Sequence, residues 1–200
     1  MKKIVIFGAT GNTGQCSLDY AVQKGLKVKV FVRNASSVPE KFKGKIEISV
    51  GNVTNSEQVS KAIEGTDGVV VVLGTRNDLQ PTTVLSQGIK NIIDGMKKHN
   101  VQLISVCLSA FLFYDPEKVP TIFKDLTEDH RRMYNLIKES GLKWISVFPP
   151  HIAEERHSNV TVKYDESPGR TISKYYLAEF LVDCLDNPEH YQRVCGITSV

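Results

Sequence analysis

Three glycines spaced three apart, Gly8, Gly11 and Gly14 in GATGNTG, interrupt an apolar run near the start of the chain. In such a turn one glycine takes backbone angles closed to other residues. Another lets a pyrophosphate approach the main chain, and a third lets a helix pack against a strand. Phosphates held there would meet the free amides and positive dipole end of the following helix. Thr10 and Thr13 would add hydroxyl donors. The same glycines could simply make a tight strand–helix connection. The strand before them, and the helix and second strand after them, favour the ligand reading.

The end of the second strand decides which dinucleotide such a turn would hold. An NAD site offers a carboxylate to the ribose 2′-hydroxyl, and an NADP site offers an arginine to the 2′-phosphate. The sequence here is VFVRNASS, with Arg33 nineteen residues after Gly14 and no carboxylate until Glu40. A guanidinium can fork onto a phosphate, and Ser36 and Ser37 could add hydrogen bonds. NADPH is the expected cofactor; the bland alternative is an exposed surface arginine. Asn52, in VGNVTN, could bond the adenine edge or merely make a turn. Gly74 and Thr75 end VVVVLGT, so backbone at 73–76 should flank a ribose, and Arg76 could reach phosphate, a substrate carboxylate or only solvent.

Ser109 and His151 follow apolar strands and should project into one crevice. A hydrolase is disfavoured because there is no G-x-S-x-G elbow and a nucleotide would fill the space a triad needs. Tyr134 and Lys138, in YNLIK, match a Tyr-x-x-x-Lys pair, but five-residue matches arise by chance. The 25-residue separation from Ser109 is also long for a serine–tyrosine pairing. Tyr134 is expected to pack and Lys138 to lie in solvent. Cys107, between Val106 and Leu108, reads by default as a small buried residue. His130 and His157 lack metal-ligand spacing, and no metal is expected.

These residues need a scaffold. The pattern predicts strands at 2–7, 27–32, 45–50, 68–73, 101–107 and 143–148, with helices at 12–24, 56–64, 82–98, 122–139 and 173–186. Short apolar strands alternating with helices imply a parallel sheet covered on both faces. Residues 151–172 are polar, with a strand period only in VTVKY at 160–164. No repeat or linker divides the 200 residues, so one domain is expected over 1–200. Its crevice would be formed by loops at 74–82, 107–120 and 149–172.

With 41% hydrophobic and 24% charged residues and a net charge of +3, the chain is ordinary for a globular protein. No basic block points to nucleic acid. The longest apolar runs are far short of the roughly 20 residues that span a membrane. Cys16, Cys107, Cys184 and Cys195 form no CxxC pair, and no signal peptide is evident. Free thiols and a cytoplasmic location are the expectation.

Taken together, IFGATGNTG, FVRN, LGTRNDLQPTTV, CLSAFLFYDPEKVP, TEDHRRM, PPHI and ISKYYLAEF resemble the biliverdin-IXβ reductase/NADPH-dependent flavin reductase family. These motifs span nearly the whole chain in order. The family is a small atypical branch of the short-chain dehydrogenases/reductases. The resemblance implies a monomeric, doubly wound Rossmann-like α/β domain that reduces flavins (FMN, FAD, riboflavin) and non-α biliverdins. It places the active-site serine at Ser109 and the active-site histidine at His151. Cofactor contacts would fall on Gly8, Thr10, Gly11, Asn12, Thr13, Arg33, Ser36, Thr75, Arg76, Cys107, Leu108 and His151. Phe111 or Phe113 could offer a ring to a planar acceptor, and Arg170, Lys174 or Arg76 could meet flavin phosphate or bilin propionates. Two positions depart from the family pattern. Ser37 stands where a second basic residue is usual, which leaves room for weaker use of NADH, and Asn52 stands where an aspartate is usual. The other readings are an isoflavone-reductase-like or epimerase-like enzyme, another short-chain reductase of small carbonyls, or a non-catalytic NADPH sensor.

Overall fold

The computed structural model describes residues 1–76, 78–155 and 160–199. Five α-helices and an eight-stranded sheet dominate the described residues, with strand order β3-β2-β1-β4-β5-β6-β10-β8. The strands are β1 (Lys3–Phe7), β2 (Lys27–Val32), β3 (Glu47–Val50), β4 (Gly68–Val71), β5 (Leu103–Cys107), β6 (Lys143–Phe148), β8 (Val160–Tyr164) and β10 (Arg193–Ser199). A separate two-stranded parallel ladder joins β7 (His151–Ala153) to β9 (Thr171–Ser173). Every pair in the large sheet is parallel except β10 with β8.

Helices α2 (Ser56–Ile63), α3 (Val84–Lys98) and α4 (Lys124–Lys138) cover one face, and α1 (Asn12–Gln23) and α5 (Lys174–Asp183) the other. Alternation along the strands feeds two cores. Val5 and Phe7 face Ile63, Ile89 and Met133, whereas Ile4 and Ile6 face Leu18 and Leu181. Each fully buried aliphatic side chain of this kind contributes about 1.5–3 kcal/mol. The sheet is the doubly wound parallel one implied by the alternation of elements.

Three elements carry no clear period in the sequence. Strands β7 and β9 are three residues each. Strand β10 inserts between β6 and β8, pairing Cys195 with both Val147 and Tyr164. Elsewhere β2 and β6 keep their expected ranges, and the other expected elements shrink at their ends. Helix α3 begins at Val84, and its first turn is capped from outside. Thr82 Oγ1 accepts from Val84 N at 3.1 Å, and the fully buried Asp129 of α4 accepts from Leu85 N at 3.1 Å and Ser86 N at 3.4 Å. Arg132 clamps the arrangement, donating to Asp129 and to the Thr82 carbonyl at 2.8 Å. No helix of the described residues is long and apolar enough to cross a membrane.

Candidate functional site

The sheet order reverses between β1 and β4, and ligands of open α/β sheets bind outside the strand ends at such a switch. There the glycine turn meets the residues after β4. Gly8 has φ +89°, and a Cβ on it would lie 2.2 Å from the Val72 carbonyl oxygen. A Cβ on Gly14 would lie 2.1 Å from the Gly8 carbonyl oxygen, so this glycine lets α1 rest against the turn. Gly11 differs. Its φ is an ordinary −78°, and an added Cβ would touch only the Gly8 oxygen, at 3.4 Å. The protein's own packing therefore demands Gly8 and Gly14 but not Gly11.

Gly11 is the N-cap of α1, with no side-chain cap and no acidic residue in the first turn. The donors at this end are thus left for an anion, and the turn fits a dinucleotide's pyrophosphate. Thr13 is buried, while Thr10 lies closer to the surface and accepts through Oγ1 from Arg76 Nη2 at 3.3 Å. Arg76 reaches across with φ +55°. Sequence spacing could not pair these two, because their contact spans 66 residues. Gly74 is exposed with nothing near it, and Thr75 accepts through its carbonyl from Asp78 N at 3.2 Å.

Past β2, Asn34 organises the chain. Its Oδ1 accepts from Ser36 N at 3.0 Å and from Ser36 Oγ at 2.9 Å. Arg33 is left exposed, with no hydrogen bond or ion pair to any described residue. Ser36 is less free than expected, since its hydroxyl proton already serves Asn34. Asn52 makes a turn: its Oδ1 accepts from Thr54 N and Thr54 Oγ1 at 3.1 and 2.9 Å. Only its side-chain NH2 remains for a ligand.

Ser109 and His151 emerge from neighbouring strands. Leu108 N donates to the Val147 carbonyl at 2.8 Å and Ala110 N to the Pro149 carbonyl at 2.9 Å, which pins Ser109 beside the chain that leads into His151. Ser109 Oγ accepts from Phe111 N at 3.2 Å, leaving its proton for donation. His151 is exposed, and its backbone N donates to the Arg170 carbonyl at 3.2 Å. No hydrogen bond joins the Ser109 and His151 side chains.

Packing bears on several of the expected residues. The Cys107 side chain is buried in the α1/α5 core, and burial pushes its thiol up to about 12; it does not face the crevice. Leu108 is buried in the opposite core. Phe113 packs on Phe148 with ring centroids 4.9 Å apart and is partly buried against the core. Phe111 instead stacks on Phe123 at 5.2 Å and stays half-buried. Tyr134 stands edge-on to Phe148 and Trp144, and burial raises its hydroxyl above the usual range. Lys174 is not a free cation. It is ion-paired with Glu154 and donates to Asn12 Oδ1 at 3.1 Å, while Asn12 Nδ2 donates to Glu154 Oε1 at 2.6 Å. Arg170 is exposed, with no side-chain partner among the described residues.

His130, set aside as a metal ligand by its spacing, has a property the sequence does not show. Its Nδ1 is sealed from solvent without a partner, and burial pushes the ring down to about 4. Nothing in the spacing of TEDHRRM signals this, because it depends on how α4 packs. Among the described residues no three His, Cys, Asp or Glu side chains gather to hold a metal; His157 lies outside them.

A family model described as NAD(P)H-binding matches residues 8–188, from the first glycine of the turn to beyond α5. The chain belongs to the NAD(P)H-binding family. Solved relatives share its fold at low identity. A putative NAD-dependent epimerase/dehydratase from Bacillus halodurans is 19% identical, with a TM-score of 0.86, covering 100% of this chain and 95% of that one. A short-chain dehydrogenase/reductase from Veillonella parvula, solved in complex with NADP, is 13% identical at TM-score 0.83, covering 99% and 94%. An anaerobilin reductase from Escherichia coli O157:H7 is 14% identical at TM-score 0.83, covering 99% and 97%. In sequence, an uncharacterized chloroplastic protein of Arabidopsis thaliana is 24% identical over 99% of this chain and 77% of its own length. As a member of this family the chain is an NAD(P)-binding protein.

Proposed function

We propose that the chain is an NADPH-dependent reductase that passes hydride to flavins and to non-α biliverdins such as biliverdin-IXβ. The observation that carries this reading is the placement of Tyr134. Reduction of a ketone calls for an acid beside the developing alkoxide. The tyrosine of the Tyr-x-x-x-Lys match is packed edge-on against two aromatic rings instead. An electron-poor ring system accepts hydride with the charge spread over its own atoms, and so needs no such acid. An open tetrapyrrole acceptor is also in keeping with an anaerobilin reductase among the fold relatives.

The residues then have distinct tasks. Arg33 holds the 2′-phosphate, and Gly11 and the first turn of α1 hold the pyrophosphate. Bound there, NADPH supplies the hydride. The Ser109 hydroxyl orients the nicotinamide or the acceptor by donating a hydrogen bond. The Phe111 ring gives the acceptor an apolar surface, and exposed His151 can deliver the accompanying proton. Arg170 is the cation open to flavin phosphate or bilin propionates.

Replacing Tyr134 by phenylalanine should leave turnover with FMN within about threefold of the parent, since no proton is drawn from it. A hundredfold loss in steady-state kcat would restore the ordinary dehydrogenase mechanism. The broader test is NADPH oxidation with riboflavin, FMN, biliverdin-IXβ, biliverdin-IXα and a sugar ketone. Riboflavin and FMN should both turn over, with the phosphate altering KM more than kcat because it lies far from the ring atom that takes hydride. Biliverdin-IXβ should exceed biliverdin-IXα, as the family resemblance implies. Turnover of the ketone with none of flavin or bilin would overturn the reading.

A further inference from the structure

A carboxylate of the chain's own sits against the first residue of α1. Glu154, the residue after β7, accepts from Asn12 Nδ2 at 2.6 Å and is ion-paired with Lys174, the first residue of α5. Lys174 closes the ring by donating to Asn12 Oδ1 at 3.1 Å. The lysine side chain is 13% exposed and that of Glu154 67%, so the carboxylate is the more open partner of the pair. Lys174, with help from Asn12, holds the carboxyl below its ordinary range.

This arrangement spends what an incoming anion would use. Asn12 opens the helix whose N-terminus receives the pyrophosphate, and its side-chain NH2 is bonded to Glu154. The Lys174 ammonium, which bonds Asn12, is neutralised by the same carboxylate. A second anion brought to the turn would meet Glu154 as a like charge, which disfavours binding unless the pair rearranges. We propose that Glu154 is an internal competitor for the cofactor's pyrophosphate, and that Lys174 is the cation they share. Without nucleotide Lys174 neutralises Glu154; with nucleotide it turns to the phosphates. The inference deepens the cofactor half of the proposed reductase and rests on nucleotide binding, not on the identity of the acceptor. It divides the work cleanly: Arg33 sets the choice between NADPH and NADH, whereas Glu154 sets the affinity for both.

The test is titration of the full chain with NADP+, NAD+, ADP and 2′-AMP, by calorimetry, for the parent, Glu154→Gln and Lys174→Met. Glu154→Gln should bind NADP+, NAD+ and ADP about three- to tenfold more tightly, the scale expected for an exposed ion pair and a nearby like charge. Lys174→Met should weaken the same three by a similar factor. Binding of 2′-AMP, which has no pyrophosphate, should change less than twofold in either variant. Unchanged or weaker ADP binding by Glu154→Gln would overturn the proposal. So would an equal gain for 2′-AMP, which would mark a general charge effect. Melting of the nucleotide-free variants within about 2 °C of the parent ensures that affinity, not folding, is compared. Failure of flavin and bilin turnover with these shifts intact would sink the reductase reading alone. Intact turnover without the shifts would sink only this one.

Discussion

Replacing Gly11 by alanine is expected to leave the protein folded while raising the NADPH dissociation constant at least about a hundredfold. The added methyl meets only the Gly8 oxygen, at an ordinary contact distance of 3.4 Å, and φ is −78°. The stability cost should stay near 1 kcal/mol, as for alanine at an N-cap. A pyrophosphate lying on that backbone would be pushed outward, losing two or more charge-assisted hydrogen bonds worth roughly 1.5–3 kcal/mol each. Gly14→Ala should behave differently. Its Cβ would fall 2.1 Å from the Gly8 oxygen, so α1 must move, and stability should drop by about 2–3 kcal/mol along with binding. Chemical denaturation beside fluorescence titration separates the two effects. Tight NADPH binding by a folded Gly11→Ala variant would move the pyrophosphate away from this turn.

The second large effect concerns nucleotide choice. Arg33→Ala should weaken NADPH binding about ten- to fiftyfold while leaving NADH within about twofold, because only NADPH carries the 2′-phosphate. The difference corresponds to about 1.4–2.3 kcal/mol. It is kept modest because Arg33 is exposed and the phosphate it meets stays partly hydrated. No carboxylate between 33 and 39 stands ready to hold a ribose 2′-hydroxyl, so the variant should lose discrimination rather than reverse it. Equal losses for the two nucleotides, measured as paired dissociation constants, would refute the assignment.

The scaffold was legible where physics is local. Apolar periods of four to six residues, with glycine or proline between them, mark β1, β2, β4, β5 and β6, and 3.6-residue spacing marks α1 to α5. Strand β10 was missed because RVCGITS carries a glycine and polar residues. What makes it a strand is a slot between β6 and an antiparallel neighbour, some 30 to 50 residues away in sequence. At the candidate site, the turn and Arg33 stand out in the sequence because each follows a strand end. Glu154 could not, since it is one charge in a polar stretch whose partner Asn12 lies 142 residues earlier. Phe113 differs for the opposite reason: it lies in the segment expected to offer a ring, but its side chain packs on Phe148, partly buried against the core. Proximity along the chain gives the neighbourhood of a site; the side a residue faces depends on packing.

Helix α3 does not own its beginning. Two amides of its first turn, Leu85 N and Ser86 N, are satisfied by a carboxylate on α4, and the carbonyl of Thr82 is held by an arginine on that same helix. Two helices joined in this way fray together. An excursion that lifts α4 from the sheet would orphan the start of α3 and release the Thr82 carbonyl. The start of α3 and the Thr82 carbonyl thus borrow their order from side chains of another helix.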